Sequence, residues 1–180
     1  MTFRILLFLT ISLLLLPGDG ALQAQTELDQ VSYAVEVMKG HNFSVLTMGV
    51  LASTSVSDAD LQLIQQLQVA PPRQMRLLVT RSNFISDVYR DFTFLVREKQ
   101  VNAILVWPGD LGADESFQKK ICQMSQRMKV PVVGLQPGWV ENGAILEFDQ
   151  ASGTVHINAK ACEVMGYVPA ELEGVNLAQH

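Results

Sequence analysis

Four short segments hold the residue types that bind or react: "TSVSD" at 54–58, "TRSNF" at 80–84, "WPGDLGADE" at 107–115 and "QPGWVENG" at 136–143. Two of them join a Trp to a Pro-Gly, a flat apolar surface beside a fixed turn. With Asp110 and Gln136 as polar contacts, Trp107 and Trp139 are the candidate ligand-binding residues, flanking one pocket. The competing reading is that the two tryptophans cover the sheet and Asp110 only begins a helix. Either way the chemistry is recognition rather than bond breaking. The three histidines, His41, His156 and His180, belong to no metal or nucleophile motif, and no glycine-rich phosphate loop is present. With no nucleophile and base to pair, we expect a protein that is not an enzyme and takes no cofactor. Asp110, Asp114 and Glu115 do not follow the calcium-loop spacing, and acids favour a helix start in any case, so no metal site is expected.

The elements that must carry these segments alternate. Strand-like runs begin at "FSVLTMGVL", "QMRLLVT", "VNAILVW", "KVPVVGL", "GAILEF" and "GTVHIN". Between them lie helical patterns: "SDADLQLIQQLQ" with a Ser57–Asp60 capping box, a helix that Ser82 or Asn83 caps and that runs to about Gln100, and one from about Asp114 to Met128. In the second of these, Phe84, Val88, Phe92 and Leu95 form one stripe. A further helix, with Leu28, Val31, Val35 and Met38 in phase, precedes the first strand. Near the end of the chain Asn158 caps a helix with Ala161, Val164 and Met165 on its packing face, which Gly166 stops and Pro169 prevents from continuing. Strands alternating with helices imply right-handed crossovers and a mostly parallel sheet flanked by helices, a three-layer α/β domain. In such sheets ligands collect beyond the carboxyl ends of the strands, where the four segments fall.

"MTFRILLFLTISLLLLPGDGALQAQ" joins one cation, Arg4, to an apolar run too short to cross a bilayer comfortably. It reads as a secretory signal at 1–24 cleaved after Ala24, with Gly20 as a second site and an uncleaved anchor as the alternative. A single domain at 25–180 follows, and a periplasmic location is expected. Losing Arg4 and Asp19 leaves the formal charge at −5, an acidity that gives no reason to bind nucleic acid. Cys122 and Cys162 enter an oxidising compartment, where both a bridge and two buried thiols are open.

"VNAILVWPGD", "KVPVVGLQPGWVENGAILEF" and "VHINAKACEVMGYVPAEL", in that order, resemble the second lobe of periplasmic substrate-binding proteins of ABC transporters, in a family that includes aromatic amino-acid binders. The resemblance covers about residues 43–172. It implies the fold of one type I binding-protein lobe, with Asp110 at the ligand cleft and Trp107 and Gln136 nearby. Family members have two such lobes, and this chain has room for one. A weaker resemblance, through Gly143, Ile145, Val155, Ile157 and Asn158, is to small periplasmic regulators of the YfiR type, which contact membrane diguanylate cyclases. The expected partners are a small solute or an envelope protein, with association to an inner-membrane transporter or sensor and a homodimer as further expectations.

Overall fold

The computed structural model describes residues 47–69, 76–149 and 154–166. The expected leader, the helix before the first strand, His41, Pro169 and His180 lie outside them. Six strands form one sheet: β1 (Thr47–Ser53), β2 (Arg76–Ser82), β3 (Ala103–Val106), β4 (Val132–Gly134), β5 (Leu146–Asp149) and β6 (Thr154–Ile157). Their order across the sheet is β2-β1-β3-β4-β5-β6. Pairings from β2 through β5 are parallel, and β6 returns antiparallel to β5.

Helices α1 (Asp58–Val69), α2 (Ile85–Thr93), α3 (Asp110–Ala113), α4 (Glu115–Met128) and α5 (Ala159–Met165) complete the domain. The step from β1 to β2 and the step from β2 to β3 run in opposite directions across the sheet. Right-handed crossovers therefore put their helices on opposite faces. Leu61 of α1 and Ala161 and Cys162 of α5 pack with Val50, Leu105 and Val133 on one face. Val88 and Phe92 of α2 and Phe117 and Ile121 of α4 pack with Ile104 and Val132 on the other. Covered on both sides, β3 and β4 are buried at every position, which is why their sequences are unbroken apolar runs.

Local chemistry sets most helix ends. The Ser57 hydroxyl accepts from the Asp60 N–H (3.2 Å), and the Asp60 carboxylate accepts from the Ser57 N–H (3.1 Å), closing the capping box that opens α1. Asp114 accepts from the Phe117 N–H at 2.7 Å and opens α4. Neither Ser82 nor Asn83 caps α2. The N-cap is Phe84, in extended conformation and without a side-chain cap bond. The Ser82 hydroxyl instead donates to Asp91 at 2.6 Å, and α2 continues into a π-helical turn at Phe94–Glu98, with the Lys99 N–H donating to the Phe94 carbonyl.

The segment from Asn158 to Gly166 folds as its residues dictate. Asn158 Oδ1 accepts from the Ala161 N–H (2.9 Å) while its Nδ2 donates to the Val140 carbonyl (2.8 Å), so one amide caps α5 and ties it to the loop after β4. Gly166, at φ 85°, ends the helix in the left-handed region. Asn158→Ala is expected to cost about 1–2 kcal/mol, the usual value of an N-cap. Urea unfolding measures it, and Asn158→Asp, which keeps the acceptor, should recover most of the loss.

Cys122 and Cys162 are buried free thiols in the cores of opposite faces, which settles their pairing against a bridge.

Candidate functional site

The strand order reverses between β1 and β3, because the chain leaves β1 toward β2 and returns to the other side of β1. At such a point the two crossovers diverge and leave a crevice beyond the carboxyl ends of the strands. β1 ends at Ser53, whose hydroxyl accepts from that of Ser55 (2.9 Å) in the turn that follows. The Thr54 hydroxyl donates to Asn83 Oδ1 just past β2, joining the two loops in a polar seam. Phe84 stands next to this seam with 67% of its surface exposed, whereas Trp107, Trp139, Phe92, Phe117 and Phe148 are buried.

On the opposite bank β3 runs into Trp107, whose N–H donates to the Leu51 carbonyl at 2.9 Å and so extends the pairing with β1 by one step. Pro108 and Gly109 then turn the chain into α3. Gly109 has φ 152°, a region that side chains disfavour, and a Cβ there would sit 3.7 Å from Ser53 Cβ, so the two banks meet at this residue. The Gly109 N–H donates to Gln136 Oε1 at 3.2 Å, which fastens the loop to the end of β4. Asp110, exposed, is the first residue of α3 and sets one negative charge on the rim. Below the banks is a cavity of about 10 Å³, lined by Leu51, Ser53, Val106, Trp107 and Leu111. It has room for no more than one water, so a solute must sit above the loops.

The structure does not bring the two tryptophans together. Trp107 follows the alternation of β3 onto the face of Ala103 and Leu105, under α1 and α5, and is 3% exposed. Trp139 is fully buried on the other face. There the loop after β4 folds back so that the indole fills the notch left by Gly134, where a Cβ would lie 2.1 Å from Trp139 Cγ. Its Nε1 donates to the Gly112 carbonyl (3.1 Å), and its ring meets Phe117 edge-on at 5.8 Å. Trp139 therefore supports the rim from below and offers no surface to a ligand. Gln136 uses its oxygen on Gly109 and lies against Gly112, as a brace for the 108–112 loop. Of the four expected residues only Asp110 faces outward.

The same loop is held by further buried polar groups. Gln118 Nε2 donates to the Gly112 (2.8 Å) and Pro137 (3.2 Å) carbonyls, and Asn142 Nδ2 donates to Gln118 Oε1 (2.7 Å). The Glu147 carboxylate accepts from the Val140 N–H at 2.8 Å. Thr54, Ser55, Asn83 and Phe84 also face outward; they lie in the 54–58 and 80–84 segments that the sequence singled out, although it named none of them individually as a ligand contact. Their signal is position: small polar residues and one aromatic directly after β1 and β2, the first two parallel strands.

No protein-family model matches the chain, and no curated protein matches it. Solved structures do. A ligand-free, open substrate-binding protein with adhesive properties from Clostridium difficile superposes with a TM-score of 0.61 at 15% identity, covering 76% of this chain and 55% of that one. An ABC domain in complex with L-Trp from Streptococcus pneumoniae gives 0.62 at 19% identity, covering 74% and 54%. A conserved domain protein from Vibrio cholerae O1 biovar El Tor gives 0.54 at 23%, covering 81% and 46%. The fold is thus the mostly parallel α/β fold of substrate-binding protein lobes, and the chain spans about half the length of each of these structures.

Proposed function

We propose that the protein is a secreted, periplasmic solute-binding protein related to the substrate-binding components of ABC transporters, and that it takes its solute at the β1/β3 reversal. The observation that carries this reading is the reversal of strand order at β1, where Gly109 meets Ser53, with the exposed Asp110 on one bank and the Thr54–Asn83 bond and the exposed Phe84 ring past β1 and β2 on the other. A side chain 67% exposed contributes little to the core, so Phe84 is available to lie against an apolar part of a ligand while the seam offers hydrogen bonds to its polar part. The likeness to a fold seen holding L-Trp supports a ligand of amino-acid size. The apolar run at 5–16 behind Arg4 supports export, and an inner-membrane transporter is the matching partner.

Thermal unfolding of the protein against a panel of amino acids and related metabolites tests this. A true ligand at about a hundred times its Kd adds about 2.7 kcal/mol. In a domain of this size that raises the Tm by roughly 5–10 °C. Phe84→Ala and Asp110→Asn should leave the ligand-free Tm in place and shrink the ligand-induced rise. A folded protein whose Tm no member of the panel moves contradicts the proposal.

A further inference from the structure

Between α2 and β2 lies a groove of about 550 Å³, lined by Thr80, Arg90, Asp91, Thr93, Phe94 and Glu98. Its size is that of sites that hold small organic molecules. It shares no residue with the crevice at the β1/β3 reversal. The helix that borders it is irregular at this place: Phe94–Glu98 form a π turn, an insertion of the kind frequent at functional sites, and its first and last residues both line the groove.

The two ends of the groove differ in charge. At one end the exposed Arg90 guanidinium is held by Asp91 at Nε (3.3 Å) and by Asp87 at Nη1 (3.6 Å), two contacts that leave N–H donors of its fork to spare. Asp91 accepts from the Ser82 hydroxyl at 2.6 Å and its side chain is only 13% exposed, so it fixes Arg90 rather than meeting a ligand. At the other end the Glu98 carboxylate is exposed and forms no ion pair among the described residues. Arg90 and Glu98 are about 12 Å apart along the helix, at about 1.5 Å per residue. Between them stand the Phe94 ring and two hydroxyls. Thr93 donates to the Tyr89 carbonyl at 2.8 Å and keeps acceptor capacity, whereas the Thr80 hydroxyl is 3.4 Å from the Val50 carbonyl, beyond an ordinary O–H···O bond, and keeps a donor.

We propose that this groove binds a short extended peptide by both of its ends, the carboxylate on Arg90 and the α-amino group on Glu98. A peptide of about three or four residues spans about 10–14 Å, which matches the separation of the two charges. Its backbone N–H and carbonyl groups meet Thr93 and Thr80, and one of its side chains lies on the Phe94 ring. A simple anion or cation would satisfy one end only, and a single amino acid is too short to reach both.

Nuclear magnetic resonance titration of the isotope-labelled protein with tetra-alanine, and with the same peptide blocked at both termini, tests the site. Saturable shifts of the Thr80, Thr93 and Phe94 amides are expected, with a Kd on the order of 1 mM or tighter. Blocking the termini should weaken binding about five-fold or more, as should Arg90→Gln and Glu98→Gln, the scale of one partly exposed ion pair. Glu98→Gln alters an exposed side chain outside any ion pair among the described residues, so it should keep the fold by circular dichroism even if Arg90→Gln does not. Binding should also weaken as salt rises. The absence of any shift in the groove at about 10 mM peptide, roughly ten times that Kd, overturns the proposal, as does equal affinity for the blocked peptide or in Glu98→Gln. Shifts confined to the loops after β1, β2 and β3 overturn it too, since the peptide would then be a ligand of the crevice.

Discussion

Trp139→Ala is expected to lower stability by about 3–5 kcal/mol, the range for deleting a large buried aromatic. The indole has no exposed surface, and the site cannot collapse easily because one wall is the backbone of β4 at Gly134. The substitution also removes the Nε1–H donor to Gly112, although that carbonyl keeps its bond from Gln118. Urea unfolding should show a lower midpoint at an unchanged m value. The loss should reach the rim as well, because the loop that carries Trp139 begins at Gln136, the brace of Gly109. A penalty below about 1 kcal/mol, the scale of ordinary surface changes, would mean that the ring is not packed in the core.

The second large effect is alkaline. Burial pushes the Cys122 thiol from 9.0 up to about 12, opposed only in part by a backbone hydrogen bond at Ala144. The folded state thus holds this proton more tightly than the unfolded chain does. The associated stability is fully present below pH 9 and is lost as the pH climbs from 9 toward 12. A shift of that size corresponds to about 4 kcal/mol, a large share of the stability of an ordinary domain. Cys162, also raised by burial, acts in the same direction. Unfolding free energies measured from pH 8 to 11 should fall with a slope that Cys122→Ala reduces. Equal slopes in the two proteins would show that the thiol ionises inside the native fold.

Much of the architecture was legible because it depends on contacts a few residues apart. The capping box of Ser57 and Asp60, the Asn158 cap and the Gly166 stop are each closed within one helical turn or at a single φ, so residue identity and spacing are enough to place them. The apolar runs of β3 and β4 announced strands covered on both faces. Phe84 shows where this reasoning fails. It continues the helical stripe of Val88, Phe92 and Leu95 by one step, yet its backbone is still extended (φ −128°, ψ 151°), and the ring turns outward. Periodicity describes a phase and does not say at which residue the helix begins.

The sequence by itself therefore determined the alternation of strands and helices, their caps, and the concentration of polar and aromatic residues in the loops that follow strands. Those follow from local backbone preference and from which side chains water excludes. Only the tertiary structure decided the strand order, and with it which loops share the crevice. It also sent Trp107 and Trp139 to opposite faces and turned Gln136 from a ligand contact into a brace. The physical reason is that these outcomes depend on pairings between segments far apart in the chain. The notch at Gly134 is invisible until an indole fills it, and the burial of β3 exists only once β1 and β4 have paired with it on either side.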